Sequence, residues 1–217
     1  MREWDIRLFD WINHWPQAWN PFLKFFSVAL NQGWVKVSLF LLIVAMIWRG
    51  EKSRKAVLLA LVAIGIANTM TNIAKEAFPM NRPFQDREYA LNKRGTIAVI
   101  DRGTSKSIID VDESRAVILR VGYSDSKGTA SAHSANMAAL ALTMCYFLRR
   151  WGAPWVAVAL LTGISRIYTG AHYPSQVLMG WACGLFAAFV VIKTWEALVS
   201  ARGGVQSEEQ DENPELA

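Results

Sequence analysis

Only two cysteines occur in 217 residues, Cys145 and Cys183, and both sit inside apolar runs. Neither a disulfide framework nor a cysteine metal site follows, and each thiol reads as a small hydrophobe. Histidine is nearly as scarce at three, and charged residues make up 19% of the chain against 53% hydrophobic. That balance excludes an ordinary soluble enzyme and a disordered chain. The opening residues, Met1 to Arg7, hold no continuous apolar core of the signal-peptide kind, so the first internal apolar run is expected to direct insertion. A formal charge of +5 would suit a nucleic-acid binder. Membrane proteins reach such values through cytoplasmic Lys and Arg, so no nucleic-acid partner is expected.

Charge is segregated along the chain. Val35 to Trp48, Ala56 to Ala74, Met137 to Leu148, Pro154 to Ile164 and Val177 to Thr194 are almost free of it. A helix needs ~20 residues to cross a hydrocarbon layer of roughly 30 Å, or fewer where flanking residues complete the span. The pattern predicts an all-α, polytopic membrane helix bundle of about five spans. Short basic turns at Arg49 to Lys55 and at Arg149-Arg150 belong in the cytoplasm. Both agree with an outside N-terminus and an inside C-terminus. Ahead of the spans, Trp4 to Trp15 mixes Ile6, Leu8, Phe9 and Ile12 with Asp5, Arg7 and Asp10, the pattern of an amphipathic helix lying in the interface. Pro21 to Leu30 is a second interfacial piece or a partial span.

Three units are therefore expected: an interfacial segment over 1–33, a membrane domain over 34–200 and a disordered acidic tail over 201–217, unfolded from Gln206 for want of apolar surface. Residues 76–129 form a polar extracytoplasmic insertion too long to be a bare loop. Its two β-branched runs, Thr96 to Ile100 and Arg115 to Val121, predict a small β-hairpin.

Lys75 closes the second span, Arg82 follows it, His133 opens the third, Arg166 closes the fourth and His172 precedes the fifth. The topology brings all five to the outer face. Singly, Lys75 or Arg166 is more simply a snorkelling side chain, a lone histidine a structural one, and His14 a headgroup contact. Ionisable groups at membrane depth cost about 2.5–3.5 kcal/mol each on insertion scales, so partners or ligands must compensate them. Five on one face, against a single carboxylate in their motifs (Glu76), call for an anion. Phosphate fits: three cations can meet three peripheral oxygens. The free N–H groups of the helix opening at Thr129 to His133 point to the same place, although Ser131 alone reads equally as an N-cap. Two imidazoles suit a nucleophile and a proton donor. Two histidines without nearby acidic ligands make a poor metal site, and no metal or other cofactor is expected.

At these residues the sequence resembles a known family. Lys75-Glu-Ala-Phe-Pro-Met-Asn-Arg82-Pro83 matches a K-x6-R-P element, Ala130-Ser131-Ala132-His133 is similar to P-S-G-H, and Ser165-Arg166 with five residues to His172 matches S-R-x5-H. Residues 56 to 195 thereby resemble the type 2 phosphatidic acid phosphatase superfamily, which shares its active site with vanadium haloperoxidases. The resemblance implies that His172 is the nucleophile forming a phosphohistidine and His133 the acid for the leaving oxygen. It also implies that Lys75, Arg82 and Arg166 hold the phosphate with help from Ser131 and the amide of Ala132. Where the family carries an Asp four residues after the nucleophile, this chain has Gln176, which can orient the imidazole through its carbonyl oxygen but brings no charge.

The expected activity is metal-free hydrolysis of a phosphorylated membrane lipid at the outer face of a bacterial-type cytoplasmic membrane. Candidate substrates are undecaprenyl diphosphate, phosphatidylglycerol phosphate, phosphatidic acid and the 1-phosphate of lipid A. A groove beside Gly180, Ala182, Gly184, Ala187 and Ala188 could take the lipid tail, but close helix packing explains these small residues better. Arg87, Lys93, Arg94, Arg102 and Lys106 of the outer insertion could meet a second phosphate. The interspersed Asp86, Glu88, Asp101 and Asp110 make a solvated surface equally good. Two other classes stand beside the enzyme: an idle relative that binds or transports phospholipid, and a small channel with its polar helix ends strung along a path.

Overall fold

The computed structural model describes residues 3–29, 32–86, 89–91, 97–99, 117–121 and 126–212. In chain order it runs α1 (Glu3–Asn13), a 3₁₀ turn at Gln17–Trp19, α2 (Asn20–Val28), α3 (Gly33–Trp48), α4 (Glu51–Ala77) and the short α5 (Pro83–Asp86). It continues with β1 (Tyr89–Leu91), β2 (Ile97–Val99), β3 (Val117–Ile118), α6 (Ala132–Leu148), α7 (Ala153–Tyr168) and α8 (Pro174–Glu212). Helices stand at all five expected spans. Among the described residues, α4 and the Pro174–Ala201 part of α8 are each long and apolar enough to cross a membrane alone. The segment Gln17–Val28 and α3 meet the same test together, bent by 56°, so the undecided stretch after Pro21 is the first limb of a bent pair. Helices α6 and α7, of 17 and 16 residues, are about 25 Å long at 1.5 Å per residue and need their flanks to complete a crossing.

Small side chains decide the packing. Where lipid and Leu are equally apolar, helices associate by close approach, which favours Gly and Ala at the contact. Ala63 and Ala67 of α4, Ala135 and Ala139 of α6, and Ala187 and Ala188 of α8 form one buried cluster. Large apolar residues such as Phe40, Leu41, Phe186 and Phe189 point outward, as lipid-facing residues do. A Cβ on Gly180 would lie 2.4 Å from the Ser131 carbonyl oxygen, and one on Gly184 2.1 Å from that of Ala135. Of the five small residues named for a groove, Gly180, Gly184, Ala187 and Ala188 are therefore buried packing surface, whereas Ala182 is exposed. Gly184→Ala should force α6 from α8 at a cost of about 1–3 kcal/mol, the scale of an overpacked site. It should lower the thermal unfolding midpoint in detergent; an unchanged midpoint would contradict this packing.

The two ends of the bundle differ. At one end Lys55 of α4 pairs with Glu51 and lies 5.2 Å from the Trp195 ring centre on α8, while Tyr146 of α6 donates to Glu196 at 2.7 Å. The basic turns gather there, although Glu51 to Lys55 form the first helical turn of α4 rather than a loop. At the other end lie the C-termini of α4 and α7 and the N-termini of α6 and α8, where the chemistry was expected.

Helix α1 departs from a purely interfacial role. Trp4 and Trp11 are exposed, but Phe9 and Ile12 enter a core with Leu23, Tyr168, Tyr173 and Val177. The buried Asp5 carboxylate accepts bonds from the Ser175 backbone N–H (2.8 Å) and hydroxyl (2.6 Å) at the start of α8. Asn13 donates to the carbonyls of Ile118 and Tyr168, both at 3.0 Å. Arg120 donates to the carbonyls of Asn13 (2.8 Å) and Tyr168 (2.6 Å) and lies 3.9 Å from the Tyr168 ring centre. These bonds fix the turn that leads to His172. Gly170, at φ +76°, makes that turn, and a Cβ there would lie 2.8 Å from the Ile118 carbonyl oxygen.

Both β-branched runs contain strands, but they do not pair with each other. β1 stands between them, antiparallel to β2 (Tyr89↔Val99) and parallel to β3 (Ala90↔Val117). Three residues without alternation gave β1 no sequence signal. The outer-insertion charges Arg87, Glu88, Lys93, Arg94, Asp101, Arg102, Lys106 and Asp110 lie outside the described residues. At the other terminus α8 continues to Glu212 instead of giving way at Gln206. Glu and Gln are good helix formers, and extending an existing helix avoids the cost of nucleation.

Candidate active site

Three loops meet at the end of the bundle where α4 and α7 finish, and they are tied by hydrogen bonds. The turn after α4 joins the irregular segment before α6 through Gly128 N–H to the Met80 carbonyl (2.8 Å), Met80 N–H to Thr129 Oγ1 (3.0 Å), and Thr129 Oγ1 donating to the Phe78 carbonyl (2.5 Å). The start of α6 joins the first turn of α8 through Ser131 N–H to the Gln176 carbonyl (3.0 Å). His172 N–H donates to the Arg166 carbonyl at 3.2 Å, so the turn holding His172 folds back on the end of α7. Segments up to a hundred residues apart in the chain are thereby fixed around one point.

The cations stand there. Lys75, in the last turn of α4, is half-buried and within the electric field of Arg82. Arg82 is buried, its guanidinium donating from Nε to the Ser126 carbonyl (2.7 Å) and from Nη2 to the Ser126 hydroxyl (2.6 Å). Arg166 is buried, donating from Nη1 to Ser27 Oγ at 2.6 Å, while its Nε, also buried, has no partner among the described residues. His133 lies in the fields of Arg166, Arg82 and Lys75, and His172 in those of Arg166 and Arg82. Ion pairs among the described residues are Arg7–Glu3, Lys55–Glu51 and Lys193–Glu196. None involves these three cations, so the pocket is left cationic and suited to an anion.

His172 Nδ1 faces two oxygens, Gln176 Oε1 at 3.1 Å and the Gly128 carbonyl at 3.2 Å. The orientation of the Gln176 amide is set by its other contacts. Tyr173 N–H, which can only donate, faces Oε1 at 3.2 Å, and the Asn81 carbonyl, which can only accept, faces Nε2 at 2.7 Å. With acceptors on both sides, Nδ1 must carry the proton, and the Nε2 lone pair has no partner among the described residues. Burial first, then the charges of Arg166 and Arg82, hold the His172 imidazole well below its ordinary pKa against the opposing bonds to Gln176 and Gly128. The ring is therefore a neutral base at neutral pH, with its nucleophilic nitrogen defined.

His133 is exposed at the second position of α6. Ser131 is fully buried and caps that helix, accepting from Ser134 N–H (3.4 Å) and Ser134 Oγ (2.9 Å). Of its two readings the cap is the one with visible bonds, and neither uses its own hydroxyl proton. Ala132 opens α6 and offers a first-turn amide. All eight residues expected from the motifs thus belong to one end of the bundle. Ser27, Asn81, Ser126 and Gly128, which hold them, were not expected. Gly128 and Asn81 carried a hint, the first standing directly before Thr129 to His133 and the second directly before Arg82. A Cβ on Gly128 would come within 2.8 Å of both Arg82 Cγ and Gln176 Oε1.

Several known proteins resemble this chain. The profile of the PAP2 superfamily matches residues 56–199. A lipid A 1-phosphatase from Rhizobium johnstonii is 31% identical over 84 residues, which are 39% of this chain and 32% of that protein. An undecaprenyl-diphosphatase, BcrC, from Bacillus subtilis is 35% identical over 63 residues, 29% of this chain and 33% of that protein. The chain thus matches about a third of the length of each relative. Among solved structures, LpxE from Aquifex aeolicus superposes with a TM-score of 0.63 at 21% identity, covering 88% of this chain and 96% of that one. A transmembrane PAP2-type phosphatidylglycerolphosphate phosphatase from Bacillus subtilis gives 0.59 at 21% identity, covering 89% and 85%. At that identity these two likenesses establish the fold.

Proposed function

This chain belongs to the PAP2 superfamily and carries helices long and apolar enough to cross a membrane, and from that premise we propose that it is a bacterial membrane protein that hydrolyses a phosphate group from a phosphorylated membrane lipid. One observation carries the reading: an imidazole with its Nδ1 proton fixed between two acceptors, beside three cations with no carboxylate partner among the described residues. In the proposed mechanism Lys75, Arg82 and Arg166 bind the peripheral oxygens. Nε2 of His172 attacks phosphorus while the bond from phosphorus to the lipid oxygen breaks, and His133 protonates that oxygen. Water then attacks the phosphohistidine, giving its proton to His133. The P–N bond breaks, and inorganic phosphate leaves with both histidines restored. The bound dianion supplies the negative charge that allows an imidazolium at position 133 among three cations.

Lipid A phosphate, undecaprenyl diphosphate, phosphatidylglycerol phosphate and phosphatidic acid are the substrate candidates, the first three by likeness to the relatives. Each presents its phosphate at headgroup depth. The basic turns at Arg49 to Lys55 and Arg149-Arg150 lie at the opposite end of the bundle, which by the positive-inside rule supports a pocket on the extracytoplasmic face of the cytoplasmic membrane. A divalent cation would meet three positive charges in the pocket, which supports a route without metal.

Purified protein in detergent, offered a panel of lipid mono- and diphosphates, is expected to release phosphate from at least one, with rates unchanged by EDTA. Loss of turnover in EDTA with recovery on adding a divalent ion would overturn the metal-free route. Lipid binding without turnover across the whole panel would favour the idle relative.

A further inference from the structure

We propose that Ser27, on α2 and outside the family segment 56–199, is a positioning residue of the phosphate pocket that sets the orientation of Arg166. The inference rests on the reading of Arg166 as a phosphate ligand. Ser27 is buried at 4% exposure, and its Oγ takes the Arg166 Nη1 proton at 2.6 Å, with the Ser27 carbonyl a longer second acceptor at 3.5 Å.

Proton counting makes the arrangement directional. Thr169 Oγ1 donates its single proton to the Ser165 carbonyl at 2.7 Å and lies 3.3 Å from Ser27 Oγ. Ser27 must then donate to Thr169, which leaves the Ser27 lone pairs for Arg166. The chain runs from Arg166 through Ser27 and Thr169 to Ser165, so both hydroxyls are fixed by the α7 terminus itself. A guanidinium held at Nη1 presents its Nε and Nη2 N–H groups as the remaining fork, which matches two phosphate oxygens. The buried Arg166 Nε is without a partner among the described residues, as a donor reserved for a ligand would be. Without Ser27, the guanidinium could rotate and lose that alignment.

The test compares wild type, Ser27→Ala, Arg166→Ala and the double variant. Its readouts are kcat and KM on the best panel lipid, and inorganic phosphate affinity measured as protection against thermal unfolding. Ser27→Ala is expected to raise KM and weaken phosphate binding by about 10- to 100-fold, the range for losing a bond to a charged group, with kcat changed less than about threefold. In the Arg166→Ala background the same substitution should have almost no further effect, because it acts only through that side chain. A general packing role would instead persist there. Should Ser27→Ala fail to fold, Ser27→Cys carries the same expectation, being nearly isosteric with a weak acceptor. Wild-type phosphate affinity in the Ser27 variant, with affinity lost in Arg166→Ala, sinks this inference and leaves the pocket standing. Wild-type affinity in Arg166→Ala as well would sink the pocket reading itself.

Discussion

His172→Ala is expected to reduce phosphate release by about a thousandfold or more, the scale on which removing a covalent nucleophile acts, and to leave a folded protein. The first expectation follows from the lone pair on Nε2, for which the pocket holds no substitute: the other imidazole, His133, starts a different helix. The second follows from what surrounds the residue. Its removal leaves the Gln176 Oε1 and Gly128 carbonyl each short of one donor, a cost of about 1–3 kcal/mol per group at most. The turn is still secured by Arg120 and Asn13 on the Tyr168 carbonyl and by Asp5 on Ser175. Single-turnover phosphate release, together with a thermal unfolding profile, checks both. Persistent turnover in a folded His172→Ala protein would remove the nucleophile assignment.

The bundle was largely legible because its signals are local. Charge-free runs, basic turns and helix-end motifs are all visible within about twenty residues, and the antiparallel order of the spans then brings the motif ends together. What holds the motif side chains was not legible for the opposite reason. Ser27 meets Arg166 across 139 positions, and Gln176 meets the Asn81 carbonyl across 95. A hydroxyl or backbone carbonyl in such a contact leaves no periodicity behind. Amphipathicity in α1 pointed to an interface, but one stripe of Asp5, Phe9, Ile12 and Asn13 serves equally well to dock on protein, and docking prevails on that face. Composition likewise named two strands of the small sheet and missed β1, the three-residue strand that joins them.

Gln176 separates orientation from charge, which the carboxylate usual in the family does not. Gln176→Leu, similar in volume but without polar atoms, should lower kcat by about 10- to 1,000-fold, less than the ~10,000-fold of an imidazole that loses its sole orienting acceptor, because the Gly128 carbonyl still faces Nδ1. Its neighbours lose the contacts at 3.1, 3.2 and 2.7 Å from His172, Tyr173 and Asn81. Gln176→Glu keeps the acceptor for His172 and adds a negative charge, but gives up the donor to Asn81 and sets a carboxylate oxygen against that carbonyl. The sign of the pH effect is fixed by the charge. Attack needs neutral His172, and burial with Arg166 and Arg82 keeps its pKa well below the ordinary imidazole value. The acid limb of kcat/KM, which reports the free enzyme, should therefore fall below pH ~6.5 in the natural protein. A carboxylate beside Nδ1 favours the imidazolium, so in Gln176→Glu that limb should move to higher pH, with activity on its acid side lost first. A limb that stays in place in Gln176→Glu would mean that His172 is not the titrating base. Wild-type kcat in Gln176→Leu would mean that the hydrogen bond to Gln176 does not set the reactive tautomer.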